Sequence, residues 1–249
     1  ELPEDIAKRD ATTRPLPVRR FRRPVPDEKI VGRAWEAITS SKRPIILAGN
    51  GCIRRRASKQ LRKFVERTGI GVIYTFMAKG CVDRDDEHCV YTIGLQARDY
   101  PAVAIEQADL VITLGYDMVE YPPRLWNSTG DKRIVHIDFI PAEIDEHYQL
   151  DVEIVGDLAH TLWMLNERAE RDGIDESRFS HEHARAARRA MAADLEEHAD
   201  DQTRGSIRPQ KAISDARQVL GPSDILLSDV GAHKMWVARH YHCHEPNTC

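Results

Sequence analysis

Between residues 27 and 171 the apolar positions follow two rhythms that alternate along the chain. Five short runs are continuously apolar or nearly so: "RPIILAGNG" (43–51), "IGVIYTF" (70–76), "DLVITLG" (109–115), "RIVHID" (133–138) and "VEIVGD" (152–157). Around them apolar residues recur every three or four positions, which is the helical period. Residues 27–41 put Ile30, Ala34 and Ile38 on one face behind Asp27, a residue type that caps helix N-termini. Residues 57–69 do the same with Leu61, Phe64 and Val65, and stop at Gly69. Helices are also predicted over 101–108, with Pro101 near the start, and over 157–171, with Asp157 at the cap.

Strands without polar alternation are buried on both faces, and helices between them cover those faces. The class is therefore α/β: a doubly wound parallel sheet forming one domain over residues 27–171. Its strands end in Gly49, Gly115 and Asp138. Open sheets of this kind take ligands at the carboxyl ends of their strands.

The flanks read differently. Residues 1–26 include "TTRPLPVRRFRRPVP" (12–26), in which repeated prolines deny a helix and the arginines favour an extended linker along an acidic surface. Residues 172–205, rich in Ala, Arg and Glu, predict a long and largely exposed helical connector. From residue 206 the α/β rhythm restarts. Pro209 opens a helix (209–220), "GPS" makes a turn, "DILLSDVG" (224–231) predicts a strand, and a helix follows from residue 232. One strand and two helices cannot cover a sheet, so 206–249 is expected to be an incomplete second α/β domain.

Composition narrows the class of partner. The chain has 249 residues, 41% hydrophobic and 31% charged, which suffices for a real core. The net charge of −4 argues against a nucleic-acid partner. No apolar run reaches the ~18 residues of a membrane span. The acidic, polar start is no signal peptide and carries no Met, so the chain is expected to begin mid-protein. Five scattered cysteines without a C-x-x-C pair suit reduced thiols and a cytoplasmic location.

Two stretches hold candidate chemistry. Gly49-Asn50-Gly51 sits between a strand and a helix, where phosphate can bind. The third glycine of a dinucleotide fingerprint would fall on Arg54, so a tight turn is the better account. "HYHCHEPNTC" (240–249) contains zinc-type ligands in His240, His242, Cys243, His244 and Cys249. A closed site would need four of them in a fixed shell at one chain end, so they read as members of a helix and its exit, with no metal site. No nucleophile elbow, zincin motif or Walker loop occurs, and no catalytic set is visible.

A family resemblance adds more. "ADLVITLGYDMVEYPPRLWN" (108–127) and "RIVHIDFIPAEIDEHYQLDVEIVGD" (133–157) resemble the central domain of thiamine-diphosphate enzymes, closest to the acetolactate synthases. "SDVGAHKMWVARHY" (228–241) resembles the entry of their diphosphate-binding domain, and "ELPEDIA" (1–7) the last strand of their N-terminal domain. The resemblance implies condensation of two pyruvates to 2-acetolactate and CO2, with thiamine diphosphate and Mg2+ in the intact enzyme. It implies a homodimer or homotetramer. Val230, Gly231, Ala232 and His233 would approach the cofactor's diphosphate.

Biosynthetic members carry FAD in the central domain and show Gly-Met-His-Gly and Gly-Ala-Arg-Phe-Asp at two strand ends. Here Gly94-Leu95-Gln96-Ala97 and Gly115-Tyr116-Asp117-Met118-Val119 stand there. Asp117 in place of the arginine would repel a flavin's phosphates. The stretch resembles the catabolic, FAD-independent acetolactate synthases of the acetoin and butanediol route, and FAD is expected to be absent. The family's activating glutamate and its Gly-Asp-Gly magnesium motif do not occur, so the chain alone is expected to lack catalysis and metal binding. Alternatives are another thiamine-diphosphate decarboxylase or carboligase, or a stand-alone ADP-binding domain with Gly49, Gly51 and Asp138 lining its crevice.

Overall fold

The structure is a computed structural model that describes residues 3–10, 14–18, 23–95, 98–199 and 206–249. Its centre is a parallel sheet of six strands: β1 (Pro44–Ala48), β2 (Val72–Tyr74), β3 (Cys89–Thr92), β4 (Leu110–Leu114), β5 (Ile134–Asp138) and β6 (Val152–Val155). They lie in the order β3-β2-β1-β4-β5-β6, so the chain reverses direction between β1 and β4. All five pairings are parallel, with Ile46 opposite Val72 on one side and Ile112 on the other.

The helices are α1 (Glu4–Ala7), α2 (Glu28–Ser40), α3 (Arg55–Thr68), α4 (Tyr100–Gln107), α5 (Leu158–Arg171), α6 (Glu182–Ala199), α7 (Pro209–Val219) and α8 (Ala232–His240). The expected caps explain several of their ends. Asp27 accepts the N–H groups of Lys29 and Ile30 at 2.9 and 3.1 Å, and Asp157 accepts that of His160 at 3.0 Å. Gly69 ends α3 in the left-handed conformation at φ 69°.

Successive residues of β1 face opposite layers, as the two-residue strand period requires. Ile46 and Ala48 pack with α2, α3 and α5, whereas Ile45 and Leu47 pack with α4 and α6. The resulting parallel, doubly covered sheet is the predicted class.

Four local expectations differ from what is observed. Residues 172–205 do not form a largely exposed connector: Ala184, Ala187, Met191 and Leu195 of α6 are buried, and the helix packs on α4 and β3. Small alanines let it approach the sheet closely, and Arg188 donates to the Cys89 carbonyl of edge strand β3 at 2.6 Å. That strand, "CVYT", was not among the predicted ones. Residues 225–229 form no strand, and Leu227 is 90% exposed. A strand exists only through a ladder of partners, and the Leu226 N–H bond to the Thr248 carbonyl at 3.0 Å is not continued into one among the described residues. Glu4–Ala7 is an exposed helical turn rather than a strand. The linker does hug an acidic group, since Arg23 pairs with Asp157 at 2.7 Å. Residues 1–2, 11–13, 19–22, 96–97 and 200–205 lie outside the described residues, and with them part of the 1–7 stretch, of the linker and of the Gly94–Ala97 stretch.

The C-terminal segment docks on the sheet rather than standing apart. Lys79 and Thr92 both donate to the Ala238 carbonyl, at 2.8 and 3.0 Å. The Arg62 guanidinium holds the carbonyls of Gly80, Cys81 and His244 together. Gly80 presses so closely on the backbone of Glu245 that a side chain there could not fit.

Candidate functional site

Two strand-to-helix junctions carry the candidate residues. The first lies at the carboxyl ends of β1 and β4, where the strand order reverses. A Cβ at Gly49 would lie 2.5 Å from Tyr116 Cα, and one at Gly51 would lie 2.6 Å from Gly115 Cα. Gly115 itself has φ 54°. These glycines are required because two backbone loops interpenetrate, which supports the tight-turn account.

Their N–H groups are committed. Gly49 donates to Leu114, Gly51 to Gly115 and Cys52 to Gly49, at 2.8, 2.9 and 2.9 Å. The Asn50 N–H, the one best placed for an anion, donates to Glu120 Oε1 at 3.2 Å. The other Glu120 oxygen accepts the Thr75 hydroxyl. A carboxylate of the chain thus stands where a phosphate would sit. Burial pushes the Glu120 carboxyl above the usual carboxylate range.

Beyond this loop opens a cavity of about 490 Å³. Asp117, Glu120, Asp138 and Glu143 line it, together with Arg54. Burial also raises the Asp138 carboxyl. His136, on β5, lines the cavity from the sheet. Its Nδ1 lies 2.8 Å from Tyr148 Oη and 3.1 Å from Thr113 Oγ1, and those two hydroxyls are 2.7 Å apart. Burial holds the His136 ring below its ordinary value, so it is neutral at pH 7.

The second junction is the turn of residues 229–233. Gly231 has φ 156° and ψ −175°, a conformation open essentially to glycine. It sits at the N-cap of α8, and Val230 beside it is 85% exposed. Asp229 accepts the Val230 N–H at 2.7 Å. No described group accepts the N–H of Ala232 or His233, as expected for a first helical turn. The His233 ring folds back over Gly231. Val230, Gly231, Ala232 and His233 therefore share one exposed turn with free donors, which suits an anionic diphosphate. Lys234 follows, stacked 4.7 Å above the Phe76 ring and within the field of Glu120.

The histidines of the tail do not converge. His240 is buried, and burial together with nearby Arg84 and Lys79 lowers His242 to about 2. His244 turns to Asp83 and Asp85, with Nδ1–O distances of 3.1 and 3.7 Å. Among the described residues this is the one grouping of three metal-ligand types, and it draws only His244 from the tail. Of the thiols, burial raises Cys81 to about 12, while a hydrogen bond with Cys249 lowers Cys243. The Glu120–Thr75–Asn50 contact and the His136–Tyr148–Thr113 cluster had no signal in the sequence, since each joins residues far apart along the chain.

Residues 31–165 match the family model of the thiamine pyrophosphate enzyme, central domain. The acetolactate synthase of Bacillus subtilis (strain 168) is 30% identical over 235 residues, covering 90% of this chain and 39% of that protein. Acetolactate synthase of Mycobacterium avium is 28% identical over 235 residues, covering 90% and 36%. Acetolactate synthase 2, chloroplastic, of Nicotiana tabacum is 31% identical over 229 residues, covering 89% and 33%. The chain thus spans about two fifths or less of the length of these relatives.

Proposed function

The chain belongs to the thiamine pyrophosphate enzymes through their central domain, and from that premise we propose that it is the middle portion of an acetolactate synthase. The proposed reaction condenses two pyruvates to 2-acetolactate and CO2. The observation that carries this reading is the likeness to acetolactate synthases over about nine tenths of the chain, more than the sheet alone.

Thiamine diphosphate, when bound, supplies the nucleophilic carbon and the electron sink for decarboxylation and carbon–carbon bond formation. The part proposed for this chain is to hold the diphosphate. Ala232 and His233 would offer main-chain N–H groups, Gly231 would let the backbone come close, and the His233 ring would add a donor. Asp229 keeps the turn in shape by occupying the Val230 N–H. We assign no catalytic group and no metal ligand to this chain. Mg2+ and the group that activates the cofactor would come from elsewhere in the intact enzyme. Assembly as a homodimer or homotetramer and a cytoplasmic location belong to the same reading. Among the described residues no helix is long and apolar enough to cross a membrane.

The central domain is proposed to work without FAD. Supporting this, Glu120 occupies the Asn50 N–H, and Asp117 and Asp138 face the same cavity. The same facts weigh against a stand-alone ADP-binding domain. The test is acetolactate formation from pyruvate with Mg2+ and thiamine diphosphate. Turnover is expected from the intact protein and not from this chain, and robust turnover by the chain alone would sink the assignment. Stoichiometric flavin absorbance in the purified protein would refute the FAD-free reading.

A further inference from the structure

The tail carries two thiols that face each other. The side chains of Cys243 and Cys249 are joined by a hydrogen bond. Both belong to one small apolar cluster with Val237 and Tyr241. Cys243 lies inside it, 2% exposed, and Cys249 lies at its half-buried edge. The segment between them folds back on itself. Asn247 takes a left-handed φ of 62°, and the Thr248 hydroxyl donates to the Glu245 carbonyl at 2.8 Å.

A buried cation stands beside the pair. Lys79 is 4% exposed, and its ammonium donates to the Ala238 carbonyl at 2.8 Å. Among the described residues no carboxylate pairs with it. Burial lowers Lys79, and the fields of Cys243 and Cys249 work against that. A buried charge without a counter-charge is costly, so this setting favours a thiolate over a thiol. The hydrogen bond decides which sulfur carries the charge, because Cys249 donates it and Cys243 accepts it. That bond holds Cys243 below the ordinary thiol range against the effect of burial, with Lys79, the Thr248 hydroxyl and Arg217 adding to it. The same bond, together with burial, raises Cys249. The other thiols lack such a setting. Cys52, Cys81 and Cys89 are wholly buried, and burial raises all three.

We infer that Cys243 and Cys249 form a peroxide-sensitive dithiol that closes reversibly to a disulfide. The Cys243 thiolate attacks one oxygen of hydrogen peroxide. An S–O bond forms, the O–O bond breaks, and the departing hydroxide takes a proton from solvent to become water. The Cys249 sulfur then attacks the sulfenic sulfur of Cys243. The S–S bond forms, the S–O bond breaks, and the second hydroxide leaves as water with the Cys249 proton. Two thiols and one peroxide thus give one disulfide and two waters. The ring spans residues 243–249, where the Glu245 backbone presses on Gly80 and the Asn247 amide donates to the Ile53 carbonyl at 3.0 Å. Oxidation therefore fixes the part of the tail that rests against the sheet. The diphosphate turn supplies neither sulfur, so this site is separate from the reaction proposed above.

The test exposes the folded chain, and the intact protein in parallel, to a small excess of hydrogen peroxide. Free thiols are then alkylated and mapped by mass spectrometry after trypsin digestion. The peptide that begins at His240 carries both sulfurs. It is expected to lose two hydrogens, to resist alkylation and to regain both thiols with dithiothreitol. Cys52, Cys81 and Cys89 should stay reduced. The oxidation rate should rise with pH to a plateau whose midpoint lies below the ~8.5 of a free cysteine. Cys249→Ser, at the half-exposed edge, should stop the reaction at a sulfenic Cys243 that dimedone traps. Cys243→Ser should slow oxidation of the peptide about tenfold. The inference is overturned if the first disulfide joins another cysteine or a second chain, if dimedone finds no sulfenic Cys243 in the Cys249→Ser protein, or if the peptide stays open to alkylation at doses that oxidise the unfolded chain.

Discussion

The junction at Gly49–Cys52 and the junction at Asp229–His233 look alike in sequence. Each follows an apolar run, contains glycine and leads into a helix. They dispose of their N–H groups in opposite ways. At the first, every donor is spent on Leu114, Gly115, Gly49 or Glu120, and the glycines exist because two loops press together. At the second, the donors of Ala232 and His233 are free, and glycine is needed for its backbone angles. Glycine before a helix therefore does not announce an anion site. The census of N–H partners decides, because an N–H already paired inside the protein has nothing left to give.

The comparison breaks most visibly at Gly49. Gly49→Ala forces a Cβ into the Tyr116 backbone, and a loss of about 4 kcal/mol in urea unfolding is expected. A nearly neutral variant would mean that the two loops can separate, and the first junction would then resemble the second.

Acid tests the layer formed by α6. His183, on α6, is 4% exposed, and a hydrogen bond with the Pro44 main chain offsets only part of the effect of burial on its ring. Burial, with help from neighbouring Arg43 and His181 and against Asp109, lowers it to about 4 from 6.5. The unfolded chain takes up that proton first, so stability is full above pH 6.5 and falls as pH drops towards 4. The loss is about 3 kcal/mol over that window. His183→Phe should flatten this slope in denaturant titrations at several pH values. An unchanged slope would move the acid sensitivity to another group.

At Glu120 the expected change is smaller and more telling. Glu120→Gln keeps an acceptor for only one of its two partners, Asn50 N–H and Thr75 hydroxyl, and should cost about 1 kcal/mol. It also removes the carboxylate from the anion position, so ADP affinity should rise while stability falls. Unchanged ADP affinity would show that the loop rejects phosphate for some other reason. Gly231→Ala should cost less than 1 kcal/mol or about that, because the turn is exposed and relaxes. Its signature is a raised thiamine diphosphate requirement in the intact enzyme, read as a shift in half-saturation.

Most of the sheet was legible. Strands β1 and β4 are buried along their length, so their sequence is apolar or nearly so, and Asp27, Asp157 and Gly69 mark helix ends by local chemistry. What escaped was what depends on a neighbour. β3 is four residues long and is a strand because β2 lies beside it. α6 buries itself largely through alanines, which carry little hydropathic signal. Residues 225–229 have strand composition, but among the described residues the Leu226–Thr248 main-chain bond is not extended into a ladder. At the site, the turn of 230–233 could be read from adjacent residues. Glu120 could not, because its meaning comes from Asn50 and Thr75, 70 and 45 positions away.

Arg62 carries one more consequence. Its planar guanidinium offers donors in fixed directions, and three carbonyl oxygens from two distant stretches have settled on them. Lysine, with a single rotating ammonium, could not keep that registration. The exit of the tail at His244 is thus held by a bracket that lies outside its own segment. Anyone transplanting residues 206–249 onto a different scaffold would have to carry Arg62 and Gly80 along as part of the graft.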